Sequence, residues 1–114
     1  MITEDEVFVV LDVEDALQAA GIRVAASFTS NAAALEWLET NRPDIAVLDY
    51  RLRDGTSEPL AQALATRAIP FIVYSGTSYE PEVHAHTFEG VPLFDKPADI
   101  SALTTALQRV LASA

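Results

Sequence analysis

Three groups of residues have side chains that could act together on one substrate. Glu4, Asp5 and Glu6 form a run of carboxylates near the start of the chain. Asp49 closes the apolar run Ile45-Ala46-Val47-Leu48. Lys96, the only lysine, stands in Phe94-Asp95-Lys96-Pro97, and Ser75 follows Ile72-Val73-Tyr74. Clustered carboxylates repel one another, so such a site calls for a cation or for raised pKa values. Magnesium suits it, being a hard ion that takes one or two carboxylates, keeps several waters and meets phosphate oxygens. Asp49 is then the candidate nucleophile for an acyl phosphate, and the Lys96 ammonium and Ser75 hydroxyl are candidate partners of the transferring oxygens.

These residues need elements that bring them to one place. Short β-branched runs alternate with helical patterns, which predicts βαβ units around a parallel sheet. Strands are expected at Ile22 to Ser27, Ile45 to Asp49, Ile69 to Tyr74 and Val91 to Phe94. Most are continuous apolar runs, as strands covered on both faces should be. Ser30 can cap a helix over Asn31 to Asn41, with Pro43 beyond its end. Thr56 or Ser57 can cap a second helix that carries Pro59 in its first turn and runs to about Thr66. Asp99 can cap a last helix with Ile100, Leu103, Leu107, Val110 and Leu111 at a 3.6-residue period. Thr77 to Gly90 has room for only a turn or two of helix.

The N-terminal segment reads two ways. Val7 to Leu11 has strand composition, yet Glu6 to Ala20 places Val10, Val13, Leu17 and Ala20 on one helical face, closed by Gly21. A parallel crossover needs about a dozen residues, and a strand at Val7 to Leu11 would leave about nine. A helix is therefore expected. Were the strand correct, Asp12 would take over the acidic role. Either way Asp49, Ser75 and Lys96 each fall at the carboxyl end of a strand, where open parallel sheets bind their ligands.

Bulk properties narrow the function. The chain has 114 residues, no cysteine and a formal charge of −10 from 17 acidic and 7 basic residues. One domain spanning 1–114 is expected. Disulfide and thiolate metal sites are excluded, and a reducing, cytoplasmic setting fits. The charge disfavours nucleic acid and anionic membranes as partners, and no apolar run approaches the ~20 residues of a membrane span. His84 and His86 lie in a polar stretch and read as solvated. Trp37, with Leu35 and Leu38, reads as packing, and Glu36 and Glu39 as solvent-facing.

The order Glu-Asp-Glu, then Asp-Ile-Ala-Val-Leu-Asp49-Tyr-Arg-Leu-Arg-Asp-Gly, Tyr-Ser75-Gly and Asp-Lys96-Pro resembles the CheY-like receiver domains of two-component signalling. The resemblance covers the whole chain. It implies an α/β, flavodoxin-like three-layer sandwich with a parallel sheet of order 2-1-3-4-5. It makes Asp49 the phosphoacceptor, Ser75 the switch hydroxyl and Lys96 the family lysine. Glu4 and Asp5 become the acidic pair that holds Mg2+ together with Asp49, with Asp5 the more direct ligand, and the Arg51 backbone carbonyl completes the shell. The Lys96-Pro97 bond is cis in that family.

Three departures stand out. The first strand is truncated to Met1-Ile2-Thr3, Leu93 replaces the aromatic switch residue, and the fourth helix is short. The last two resemble a receiver subgroup often paired with HWE-type kinases, whose Phe-Ala-Thr-Gly-like motif would be Val73-Tyr74-Ser75-Gly76 here. A stand-alone, non-enzymatic phosphoacceptor switch is expected, fed by a histidine kinase or histidine phosphotransfer protein and read by an unknown downstream protein. The alternative is a pseudo-receiver that only binds protein partners, with Glu4 and Asp5 misplaced by the incomplete strand. That strand also leaves a homodimer open.

Overall fold

In the computed structural model, residues 1–75, 91–95 and 100–113 are described. Their elements in chain order are β1 (Ile2–Thr3), α1 (Val7–Ala19), β2 (Ser27–Phe28), α2 (Asn31–Leu38), β3 (Ala46–Leu48), β4 (Arg51–Leu52), β5 (Gly55–Thr56), α3 (Glu58–Thr66), β6 (Phe71–Ser75), β7 (Leu93–Asp95) and α4 (Ile100–Ser113). Five strands form a parallel sheet in the order β2-β1-β3-β6-β7, while β4 and β5 make a separate antiparallel hairpin. Numbered within the large sheet alone, that order is 2-1-3-4-5, the flavodoxin-like topology.

Alternation along the strands builds a core on each face. Ala46, Leu48 and Val73 point to one side and join Ala34 and Leu38 of α2 and Leu60 and Leu64 of α3. Val47 and Ile72 point to the other and join Val13 and Leu17 of α1 and Leu103 and Leu107 of α4. The result is a sheet with helices on both faces, which explains why the strand sequences read as unbroken apolar runs.

Val7 to Leu11 is helical, so Asp12 lies inside α1 and has no place at the strand ends. The helix stops where Gly21 takes a φ of 81°. Its amide donates to Gln18 O (3.0 Å) and that of Ile22 to Leu17 O (2.8 Å), a paired closure that satisfies the last carbonyls. α3 ends in the same geometry around Ala68, with Ala68 N–H to Ala65 O at 3.0 Å and Ile69 N–H to Leu64 O at 2.9 Å.

Several expectations are corrected. Residues 22–26 belong to no strand, and β2 is confined to Ser27–Phe28, which pair with Ile2 and Thr3 of β1. α2 stops at Leu38 rather than Asn41, and the Asn41 side-chain amide takes the Trp37 carbonyl (3.0 Å) at the helix end. Ser30 caps α2 as expected, accepting from Ala33 N–H at 3.2 Å. Ser57 occupies the N-cap of α3 without a capping bond from its side chain; its amide donates to Tyr50 O (2.8 Å) and its hydroxyl is fully buried. The Asp99 cap, the short helix within Thr77 to Gly90 and the Lys96-Pro97 bond lie outside the described residues.

One tie holds α2 to the hairpin. The Asp54 carboxylate, in the β4–β5 turn, accepts from Asn31 N–H (2.8 Å), Ala32 N–H (3.0 Å) and Asn31 Nδ2 (3.2 Å). Asn31 Nδ2 also donates to Thr56 O at 2.8 Å. Asp54 thus supplies a second, long-range cap to the helix that Ser30 begins.

Two stability effects follow. Ala68 holds a φ of 57°, which costs a non-glycine residue about 1–2 kcal/mol, against a glycine chain-entropy cost of about 0.5–1 kcal/mol. Ala68→Gly should therefore raise unfolding stability by roughly 0.5–1 kcal/mol in urea titration. Asp54→Ala should lower it by about 1 kcal/mol, a typical cap loss. The Asn31 backbone N–H, above all, holds the Asp54 carboxyl below its ordinary value of 3.8. A lowered folded pKa gives stability that is present above the unfolded value and lost as pH falls through the folded one. The gap between wild type and Asp54→Ala should accordingly shrink from about pH 4 downward, read in urea titrations across that range.

Candidate functional site

The carboxyl edge of the sheet carries the site. β1 and β3 run side by side in the register Thr3↔Leu48, so the next residue of each, Glu4 and Asp49, emerges at the same edge. Main-chain bonds fix both: Glu4 N–H donates to Phe28 O (2.9 Å) and Asp49 N–H to Thr3 O (2.9 Å). Glu4 and Asp49 are buried, at 3% and 7% exposure, whereas Asp5 is exposed. Carboxylate oxygens of Glu4, Asp5 and Asp49 all lie within 4.8 Å of one another. Glu4 Oε1 also accepts from Glu6 N–H at 3.2 Å, which turns the chain into α1.

This is a hard, all-oxygen donor set. Two oxygens on opposite sides of an octahedral magnesium stand about 4.2 Å apart, twice a bond of about 2.1 Å. Side chains within 4.8 Å of one another can close on such an ion by small rotations. The mixed burial suits it too: the inner carboxylates anchor the ion and the exposed one leaves room for water. Without a cation, like charges at this range repel.

The other expected members are placed unevenly. Ser75 ends β6 beside Asp95 of β7 in parallel register, at the carboxyl edge as anticipated; its hydroxyl is outside what the structure describes. Lys96 lies outside the described residues, as do His84 and His86. Arg51 is exposed and begins β4 two residues beyond Asp49, with its guanidinium 5.8 Å from the centre of the Tyr50 ring. Leu93, at the position of the family aromatic, is 43% exposed, while the neighbouring Phe94 turns into the α1/α4 core. Trp37 packs on Phe28 with ring centres 5.8 Å apart, as a core residue should.

One feature beside the site went unread in the sequence. Val7, Phe8 and Leu11 on the first turns of α1 are 62%, 82% and 50% exposed. A shallow apolar depression of about 430 Å³ continues from them between Val10, Phe28 and Ala33. The signal was available: five consecutive apolar residues on a helix cannot all face one core.

The fold agrees with independent comparisons. A family model described as the response regulator receiver domain matches residues 1–108. Among solved structures, SdrG from Sphingomonas melonis Fr1 is 32% identical, with 96% of this chain and 92% of that chain covered and a TM-score of 0.78. A response regulator receiver protein from Sinorhizobium medicae WSM419 is 25% identical, with coverage of 97% and 91% and a TM-score of 0.82. The PhyR receiver domain of Erythrobacter litoralis shares the fold at 22% identity, covering 96% and 88% at a TM-score of 0.76. No curated protein matches the chain. Among the described residues, no helix is long and apolar enough to cross a membrane.

The carboxylate cluster makes a direct prediction. Mg2+ at about a hundred times its Kd should stabilise the protein by about 2.7 kcal/mol, seen as a rise in Tm. Asp5→Asn removes one of three mutually repelling charges at an exposed position, so it should leave the metal-free Tm equal to or slightly above that of wild type and weaken Mg2+ binding about tenfold or more. An undiminished Mg2+ response in Asp5→Asn would remove Asp5 from the metal shell.

Proposed function

The chain belongs to the response regulator receiver domain family, and from that premise we propose that it accepts a phosphoryl group on Asp49 with Mg2+ bound by Glu4, Asp5 and Asp49. The observation that carries this reading is the convergence of those three carboxylates at the sheet edge, two of them buried. An Asp49 carboxylate oxygen attacks phosphorus, the bond from phosphorus to the donor breaks, and an acyl phosphate forms while the donor imidazole leaves with the electron pair. Attack by water on the acyl phosphate later returns Asp49 and inorganic phosphate. Magnesium, when bound, offsets charge on the transferring oxygens.

The chain's own residues do the positioning. Glu4 and Asp49 are held by main-chain bonds across β2, β1 and β3, so the nucleophile is fixed by the sheet and not by a loop. The Arg51 carbonyl is assigned to the metal shell, Ser75 to a phosphoryl oxygen and Lys96 to the charge on the group, on the strength of the family pattern. Phosphorylation adds about 1.5 to 2 negative charges at this edge, which Ser75 and Lys96 would be drawn to meet. Leu93 in place of an aromatic points to a readout that does not use a buried aromatic ring at that position.

The phosphodonor is a histidine kinase or a histidine phosphotransfer protein, and we assign its docking to the exposed apolar turns of α1. Val7, Phe8 and Leu11 follow directly on the acidic residues Glu4 to Glu6 and are exposed. A downstream protein partner completes the signalling role. The pseudo-receiver alternative differs in one measurable respect, the absence of an adduct on Asp49.

Incubation with acetyl phosphate and Mg2+ should add one phosphoryl mass to the intact protein, and Asp49→Asn or a chelator should abolish it. No adduct on folded wild-type protein would overturn the proposal and leave the pseudo-receiver. Phe8→Ala should reduce transfer from the cognate histidine phosphodonor at least about tenfold, the scale of an interface anchor, and leave the acetyl phosphate reaction intact. Equal loss in both reactions would place Phe8 in the fold and not in docking.

A further inference from the structure

The connection from Asp49 to α3 is a hairpin held from outside by the start of α2. Ser57 N–H donates to Tyr50 O (2.8 Å), and β4 pairs with β5 as Arg51↔Thr56 and Leu52↔Gly55. Antiparallel pairs alternate between those that exchange hydrogen bonds and those whose main-chain groups point away from the partner. The Tyr50–Ser57 bond makes Arg51 and Thr56 a pair of the second kind, so their carbonyls leave the hairpin on opposite edges. The Thr56 carbonyl meets Asn31 Nδ2 at 2.8 Å. The Thr56 edge therefore faces α2, and the Arg51 carbonyl is turned away from it.

Several bonds latch the hairpin to the helix. Asn31 N–H and Nδ2 donate to Asp54 Oδ1 (2.8 and 3.2 Å), Ala32 N–H to Asp54 Oδ2 (3.0 Å), and Arg53 N–H to Thr29 O (3.1 Å). Asn31 is buried and its amide nitrogen sits between two acceptors, so a carboxylate could not stand in its place. The same stretch of chain holds the carboxylate cluster, since Phe28 O takes the Glu4 N–H (2.9 Å). Segment 28–31 thus fixes both Glu4 and the hairpin that carries Arg51, and Asp49 joins that frame through Thr3 O (2.9 Å). Mg2+ demands near-ideal octahedral ligand positions at about 2.1 Å, whereas Ca2+ accepts about six to eight oxygens at roughly 2.3–2.6 Å in flexible geometry. A shell that includes a main-chain carbonyl is therefore only as selective as the backbone that aims it.

We propose that Asn31 is a positioning residue for the metal site, which by clamping Thr56 O and Asp54 holds the hairpin so that the Arg51 carbonyl is aimed for Mg2+ in preference to Ca2+. Asn31 does not touch the ion and acts only through the hairpin. The inference rests on the Arg51 carbonyl being a ligand in the shell of Glu4, Asp5 and Asp49. Without the Asn31 amide, the Thr56 carbonyl loses its partner on the α2 edge and the hairpin can pivot on β3, while the carboxylates stay in place. A cation that tolerates a displaced ligand then keeps most of its affinity, and Mg2+ does not.

Titration of the isotope-labelled 114-residue chain with MgCl2 and, separately, CaCl2, followed through the Asp5 and Asp49 amide shifts, gives both dissociation constants on folded protein. Asn31→Ala should weaken Mg2+ about tenfold, the loss typical of a residue behind the ligands, and Ca2+ by no more than roughly threefold. Ser30→Ala removes the other cap at the same helix end, its bond from Ala33 N–H at 3.2 Å, without touching the hairpin. It should lower stability and leave both constants unchanged. Asp54→Asn keeps an acceptor for Asn31 but loses the charge; it should fall between wild type and Asn31→Ala, and it carries the test if Asn31→Ala does not fold. Undiminished Mg2+ affinity in the latch variants, an equal loss for both ions, or as large a loss in Ser30→Ala would overturn the proposal and leave the metal site standing. No Mg2+ response in wild type would instead overturn the metal site, and with it both the phosphoacceptor reading and this proposal.

Discussion

The parallel register between β1 and β3 is the constraint on which the site depends. Thr3 sits beside Leu48, and from that single pairing Glu4 and Asp49 must leave the sheet together. The period of a strand is two residues, so a slip of one would send each side chain to the opposite face. A slip of β1 would put Ile2 into the α2/α3 layer and separate the carboxylates. The register is specified because both faces are buried: Ile2 packs with Val13 and Leu17, while Met1 packs with Ala34 and Leu38. The apolar core thus does electrostatic work, forcing like charges within 4.8 Å that would separate in a free chain.

Burial supports the proposed division of roles among the three carboxylates. Glu4 and Asp49 are at the floor of the site and Asp5 at its rim. A group at the floor cannot move away from its neighbour, so it presents a fixed oxygen, which is what a nucleophile needs. A group at the rim can swing and remains hydrated, which suits a ligand to an ion that gives up its waters reluctantly. The formal charge of −10 adds to the field that draws a cation to this edge and makes an anionic phosphodonor less welcome elsewhere on the surface.

Much of this was legible in the residues. The alternation of apolar runs and helical patterns led to a parallel sheet with Asp49, Ser75 and Lys96 at strand ends, while the strand order and the roles of Glu4 and Asp5 came from the resemblance to receiver domains. The helix at Val7 was decided by chain length, since local composition favoured a strand. What stayed hidden was set by contacts distant in sequence. The cap that Asp54 gives to α2 spans 23 residues, and no local pattern announces it. Ser57 looks like a capping hydroxyl, yet its position under Tyr50 buries the side chain and turns its amide to the Tyr50 carbonyl. Residues 22–26 have strand composition but lie outside any strand, because pairing belongs to the neighbour and not to the segment. Leu93 and Phe94 illustrate the same limit: composition shows an aromatic nearby, and only packing shows that it faces the α1/α4 core.

The short central strand also shifts where stability must come from. A ladder of two residues on each side contributes few hydrogen bonds, so β1 is retained by the side chains it buries on both faces. The surrounding elements are tied by other means. Arg42 donates to Arg67 O at 2.7 Å, joining the start of β3 to the end of α3, and Asp54 joins α2 to the hairpin that begins at Arg51. These ties flank the α2/α3 layer, whereas α1 is tied at its C-terminal end, where Gln108 Nε2 donates to Ala20 O at 3.2 Å, and presents Val7, Phe8 and Leu11 to solvent at the other. The face next to the carboxylates is therefore anchored by apolar contacts at Val13 and Leu17, one or two turns away. Its first turn is left as an uncovered apolar surface close in sequence to the carboxylate cluster. Exposed apolar patches of this kind mark contact surfaces, and the position of this one beside Asp5 is the ground on which the proposed docking of a phosphodonor rests.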